Sequence, residues 1–376
     1  MTLFSFKYLS FIDKEINTIL GRESNISIAL PIGISFFIFQ MMSYIFDVYY
    51  EKVECQNKVI NLGLYISFFP QLIAGPIVRY ETINHEIENR RVSINDYLEG
   101  LYRFIFGLGK KVLIADFLAI IADNIFSLEK YNSISMLTAW IGAIAYTLEI
   151  YFDFSGYSDM AIGLGRMFGF HFNENFRYPY VAKSISDFWK RWHISLTDWF
   201  RDYVYIPLGG NRVNKWRHLL NISIVWILTG IWHGANWTFL LWGMIYCVFQ
   251  ILEKYVYKPE KWKPFLAHMY TLIIVTLCWV LFRADNILDG GRYVISMFHN
   301  KEIIDTLGLN YLSDSIVIVC VAVLCSVPIK DYMAKYLKIS KSLLDVLKCF
   351  AAVIIVVMAA FVAISGGYSP FIYFNF

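Results

Sequence analysis

The chain has 376 residues, 57% of them hydrophobic, 18% aromatic and only 17% charged. A soluble domain usually carries about a quarter charged residues, so the deficit points to a surface that faces lipid. The net charge of +3 gives no ground for a nucleic-acid partner. Six cysteines without a CxxC pair argue against a disulfide framework or a zinc site.

The opening Met-Thr-Leu-Phe-Ser-Phe-Lys lacks the basic, apolar and small-residue regions of a cleavable signal peptide. Uncharged runs then follow in order: Ser24 to Phe46, Val59 to Val78, Tyr131 to Leu148, His218 to Leu252, Pro264 to Phe282, Ser315 to Ile329 and Cys349 to Phe376. With roughly 20 apolar residues needed per span, about eight to ten membrane-embedded helices are expected. Residues 101–126 are apolar but contain Arg103, Lys110, Lys111, Asp116 and Asp123. They suit a tilted or interfacial helix, or a span turned towards the protein interior. Asn25, Asn221 and Asn236 head Asn-x-Ser/Thr triplets, but all lie in or beside apolar runs and are read as chance. No repeat or Gly/Ser-rich linker interrupts the series. The expected architecture is an all-α integral membrane protein with no sheet. Residues 1–376 would form a single domain, a transmembrane bundle with interfacial or re-entrant helices.

The run from His218 to Leu252 is 35 residues long. As one straight helix it would measure roughly 52 Å at 1.5 Å per residue, against a hydrocarbon core of about 30 Å. It leaves too little chain for two complete spans and a turn, so the helix either tilts or breaks. The obvious break is Thr229 to Asn236, where Gly230 and Gly234 flank His233. Broken backbone at membrane depth is tolerated where it is buried in protein or lines a wet cavity. His233 could simply be held by a backbone carbonyl. An ionisable group in a membrane segment is nonetheless a functional hypothesis by default, as general base, proton relay, ligand or counter-ion. Arg212, Lys215 and Arg217 precede the run, and Lys254, Lys258, Lys261 and Lys263 follow it. A cytoplasmic position for both flanks suits the positive-inside rule, but a single straight span forbids it.

Residues 184–203 form a second constellation. On a helical wheel, Trp189, Trp192, His193, Leu196, Trp199, Phe200 and Tyr203 share one face, and Asp187, Lys190, Arg191, Asp198, Arg201 and Asp202 the other. Ser186 is the expected N-cap, and residues 185–203 should form a helix along the membrane face. His193 sits on the aromatic face; its structural alternative is a histidine hydrogen-bonded within the bundle. Glu149, Asp153 and Asp159 stand in apolar surroundings and imply a hydrated or paired site, with Arg166, Lys190 or Arg191 as the expected partners. No dinucleotide turn, phosphate loop or Gly-x-Ser-x-Gly elbow is present.

Several segments then carry a resemblance. They are Pro31 to Gln40, Phe69 to Arg79, Tyr151 to Ala161, Phe188 to Leu196 with Arg201 to Arg212, Gly230 to Ala235, and the closing Tyr368 to Phe376. Together they resemble the membrane-bound O-acyltransferase family over nearly the whole chain, in its alginate O-acetyltransferase-like branch. The resemblance implies further hydrophobic helices ahead of Phe6 to Leu9, where this sequence begins almost at once. It also implies transfer of an acyl group from a cytoplasmic thioester, acetyl-CoA or another, through the bundle to a hydroxyl of an extracytoplasmic glycan. His233 would be the general base, and His193 would orient the donor or stabilise charge. Both rings should line one cavity reachable from water. No metal or bound cofactor is implied. A secreted or membrane-anchored acyltransferase partner is, and so is a multi-pass place in the cytoplasmic membrane. The competing class is a transporter or flippase with His233 as proton relay.

Overall fold

The computed structural model describes residues 2–23, 26, 28–128, 134–300, 302–329, 340–366 and 371. The described residues are helical and contain no strand. The closing motif 368–376 lies outside them, apart from Phe371. Seven short or medium helices come first: α1 (Thr2–Ile19), α2 (Ile34–Tyr49), α3 (Val59–Ser67), α4 (Phe69–Leu72), α5 (Tyr80–Asn89), α6 (Ile94–Gly109) and α7 (Asp116–Phe126). A π-helical turn, Lys110–Ala115, joins α6 to α7.

The central post is α8 (Met136–Met167), capped by the Ser135 side chain, which accepts from the Thr138 N–H. Its 32 residues reach roughly 48 Å at 1.5 Å per residue. It is buried along most of its length and packs against α6 and α7. Three later helices also reach it: α13 (Pro264–Arg283), α14 (Ile287–Phe298) and α15 (Thr306–Cys325). Helix α16 (Lys341–Ile364) lies against α6. Among the described residues, three helices are long and apolar enough to cross a membrane: residues 264–283, 306–325 and 342–364. The last two bury little of that apolar surface within the protein, as lipid-facing helices should.

The charged stretch 101–126 faces the protein interior. Helix α6 meets α8 through paired glycines: a Cβ on Gly107 would stand 2.6 Å from the Gly156 carbonyl, and one on Gly100 2.6 Å from the Gly163 carbonyl. Small residues let backbones approach this closely in membrane bundles. Along the same seam Arg103 and Lys110 hold Asp159, at 2.8 and 2.6 Å, and Lys111 holds both Asp153 and Asp116 at 2.6 Å. Glu149 lies 3.8 Å from Arg283. The acids are thus paired as expected, but not with Arg166, Lys190 or Arg191. Helix geometry on a single element cannot say which cations a neighbouring helix brings.

The long apolar run does break, and it breaks into a hairpin. Helix α11 (Lys215–His233) is capped by Asn214, and α12 (Trp237–Tyr255) by Asn236, whose side chain accepts from the Thr238 N–H. Two helices fit because each recruits polar residues outside the run. Each has 19 residues, about 28 Å. The hairpin places both basic flanks at one end and His233 at the tip, not midway along a span. Gly230 and Gly243 make the two helices touch: a Cβ on either would lie 2.6 Å from a carbonyl oxygen of the other helix.

Residues 185–203 do not form one helix. They form α9 (Ile185–Trp189), α10 (Ile194–Phe200) and a π-helical turn from Arg201. The N-cap is Ser184, not Ser186. Ser186 instead gives its hydroxyl and its N–H to the buried Glu253 of α12, which also accepts from the Ile185 N–H. The wheel still sorted burial correctly. Every residue of its aromatic face is buried, whereas Lys190 and Arg201 are exposed.

Candidate active site

His193 stands at the junction of α9 and α10 in the left-handed conformation, φ 46° and ψ 54°. Few non-glycine residues adopt it, and those that do are held there by their surroundings. The hold comes from Asn175. Its carbonyl oxygen accepts from the Ile194 N–H at 3.0 Å, and its side-chain oxygen from the Ser195 N–H and hydroxyl at 3.2 and 2.9 Å. The Ser195 hydroxyl in turn accepts from the Ile77 N–H at 3.0 Å. Because the Ser195 N–H fixes which end of the amide is oxygen, His193 Nδ1, 3.3 Å from it, is the protonated nitrogen. Nε2 then keeps its lone pair, and it has no hydrogen-bond partner among the described residues. His193 is fully buried, between Phe154, Phe36 and Trp232.

His233 ends α11. The turn after it needs glycine, because a Cβ on Gly234 would stand 2.2 Å from the Phe239 ring. The imidazole lies among Trp232, Trp242 and Phe282, at centroid distances of 5.0, 4.9 and 5.2 Å. Both ring nitrogens are buried and neither has a hydrogen-bond partner among the described residues. A buried polar atom left unpaired costs about 1–3 kcal/mol, and this ring carries two. It borders a small cavity of about 60 Å³ shared with Lys7, Gly33, Ser35, Phe36, Ile73 and Trp232. That volume admits a few waters or one small acyl group.

The two histidines are brought together, but His193 does not line the small cavity beside His233. The Trp232 ring touches both, at 5.9 Å from His193 and 5.0 Å from His233. Phe36, itself in contact with His193 and Trp232, helps to close His193 off. A second cavity, of about 630 Å³, runs beside the first two-thirds of α11, lined by Ile222, Trp226, Trp189 and Phe200 and by the basic Lys190, Arg201 and Lys254. Two rings stand between it and His233: Trp189 contacts Trp242, and Trp242 contacts His233. The motif reading had singled out neither Asn175 nor Lys7. The cluster of asparagines in His171 to Phe176 was the only signal for the former, and nothing in the sequence pairs Lys7 with residue 232.

Residues 56–282, which hold both histidines, match the model of the MBOAT, membrane-bound O-acyltransferase family. The chain belongs to that family. It is 43% identical over 301 residues to a protein of Pseudomonas putida named "Probable alginate O-acetylase AlgI", covering 78% of this chain and 61% of that one. To the peptidoglycan O-acetyltransferase of Helicobacter pylori it is 33% identical over 426 residues, covering 99% and 79%. The teichoic acid D-alanyltransferase of Bacillus subtilis is 29% identical over 291 residues, covering 72% and 70%. The chain spans between 55% and 61% of the length of the alginate O-acetylases it matches. Membership in this family places the chain in a membrane and leaves the transporter alternative without support.

Proposed function

We propose that this chain is a single-domain O-acyltransferase of the cytoplasmic membrane that acetylates an extracytoplasmic polysaccharide, an alginate-like exopolysaccharide or a cell-wall glycan. The observation that carries the reading is His233, buried at a hairpin tip beside a small cavity, with neither nitrogen bonded to any described residue. A general base needs a lone pair aimed at a space the acceptor can enter, and unpaired nitrogens offer it. The acceptor oxygen attacks the thioester carbonyl as His233 takes the hydroxyl proton. The C–O bond forms, the C–S bond breaks, and the proton passes to the leaving thiolate. The hairpin puts both basic flanks of α11 and α12 on one side, which the positive-inside rule makes cytoplasmic. The large cavity lies towards that side and receives the donor, acetyl-CoA or another thioester. The aromatic rings between it and His233 keep water from the acyl group. His193, oriented by Asn175, holds the donor or stabilises its developing charge. The names of the relatives, two acetyl and one D-alanyl transferase acting on alginate, peptidoglycan or teichoic acid, agree with an acyl acceptor outside the cytoplasm. A secreted or anchored acyltransferase is the expected partner that hands the group to the polymer.

The test is transfer of labelled acetyl from a thioester to glycan in membranes. General-base catalysis contributes roughly 10²- to 10⁴-fold, so His233→Gln, which keeps hydrogen bonding but not basicity, should lose at least about two orders of magnitude. The variant should still insert and purify. Near wild-type transfer by a folded His233→Gln protein overturns the assignment.

A further inference from the structure

Helix α11 ends at His233, and its last carbonyls have no partner within the helix. Gly234 is extended, φ −177°, so the chain leaves without the left-handed turn that commonly caps helix C-termini. The missing partners come from α1, more than 200 residues earlier in the chain. Lys7 Nζ donates to the carbonyl of Trp232, and the Tyr8 hydroxyl donates to that of Ile231 at 2.6 Å. One turn further along α1, Phe11 packs its ring against Trp237, the first residue of α12, at 5.8 Å. These three side chains therefore reach both sides of the break. Lys7 also donates to Ser35 Oγ of α2 at 3.2 Å and lies 5.6 Å from the centre of the Trp232 ring. A cation at a helix C-terminus is favourable in its own right, and a cation near an indole face adds to it.

We propose that α1 is a splint across the hairpin tip and that Lys7 is a positioning residue for His233. It acts through the Trp232 peptide, from the wall of the cavity that His233 borders. By fixing the last turn of α11 it fixes the ring that follows and the indole packed against both histidines. This rests on the acyltransferase reading above. A group held a single ångström out of place can cost about 10²-fold, so Lys7→Met should lower kcat for acetyl transfer by roughly 10- to 100-fold. KM for donor and acceptor should change little, because the Lys7 ammonium is committed to the Trp232 carbonyl and Ser35 Oγ. Lys7→Arg, which keeps a cationic donor, should restore most of the rate. A residue that merely stabilised the fold would not divide kcat from KM in this way, nor be rescued by arginine with unchanged folded yield.

A second readout needs no activity. Hydrogen–deuterium exchange of wild-type and variant protein in membrane mimetic should show faster exchange over residues 229–234 in Lys7→Met, and wild-type exchange in Lys7→Arg. Tyr8→Phe, which deletes one hydroxyl and no packing, takes the place of Lys7→Met should that variant fail to fold, with the same direction expected. Full kcat in Lys7→Met while His233→Gln is dead overturns the positioning role and leaves the acyltransferase reading standing. An active His233→Gln protein overturns that reading, and the exchange measurement then decides the splint alone. Unchanged exchange over 229–234 overturns it.

Discussion

Replacing His193 by glycine and by alanine isolates the backbone at the α9–α10 junction, since both variants lack the imidazole and differ only in a methyl group. At φ 46° and ψ 54° an L-residue carries a penalty of about 1–2 kcal/mol that glycine escapes. Glycine gives back about 0.5–1 kcal/mol through its freer unfolded chain. The balance leaves His193→Gly more stable than His193→Ala by about 1 kcal/mol, about fivefold in the unfolding equilibrium constant. The protein carries its own reporters. Cys247 and Cys278 are buried; Cys55 is exposed and can be blocked first, and Cys320, Cys325 and Cys349, on the lipid-facing helices α15 and α16, are replaced by alanine. Denaturant titration in mixed micelles, followed by thiol-dye labelling of the two buried cysteines, gives the comparison. If the alanine variant proves as stable as the glycine variant or more so, the left-handed conformation is not what joins these helices, and the role given to Asn175 falls with it.

His193→Ala should lower acetyl transfer by less than His233→Ala does, measured side by side at equal folded yield, because donor orientation is a smaller contribution than proton removal. Gly230→Ala and Gly243→Ala each drive a methyl to 2.6 Å from a carbonyl oxygen of the facing helix. Each should cost about 1–3 kcal/mol by overpacking, read in the same titration. Glu253→Ala leaves the Ile185 and Ser186 N–H groups and the Ser186 hydroxyl without their acceptor. It should cost about 3 kcal/mol, since each stranded buried donor is worth about 1–3 kcal/mol, whereas Glu253→Gln should cost less.

Features governed by local pattern were legible in the sequence. Apolar runs gave the membrane bundle, and the glycines around His233 gave the break in the long run. The helical wheel sorted residues 187–203 into buried and solvated faces even though the helix it assumed is interrupted. That success is not accidental: α9 and α10 each keep the helical period, and the single left-handed residue between them redirects the chain without exchanging its faces. What the sequence hid depends on contacts distant in the chain. Asn175 bends residues 193–195 from 18 positions away, and Glu253 from α12 holds the start of α9. Asp159 finds its cations on α6 and the π-helical turn after it, which no reading of α8 alone could supply. The hairpin went unrecognised because counting stopped at the uncharged residues, whereas α11 and α12 each extend into the basic flanks.

The seam between α6 and α8 also constrains how the chain is made. Arg103, Lys110 and Lys111 emerge from the ribosome before their acidic counterparts Asp153 and Asp159. On insertion scales three such cations cost roughly 8–10 kcal/mol at the centre of a lone helix, more than the apolar residues around them readily offset. The segment from Ile94 to Phe126 is therefore a poor client for release into lipid by itself. We expect it to wait beside the insertion machinery until α8 arrives with its carboxylates and its glycines, so that the two enter the bilayer as a neutralised pair. In a nascent chain stopped before residue 136, a photo-crosslinker in α6 should still capture the insertion machinery, and in one stopped well after residue 167 it should not. The ion ladder that braces the finished protein would then serve, during synthesis, as a timing device that ties the fate of an earlier helix to a later one.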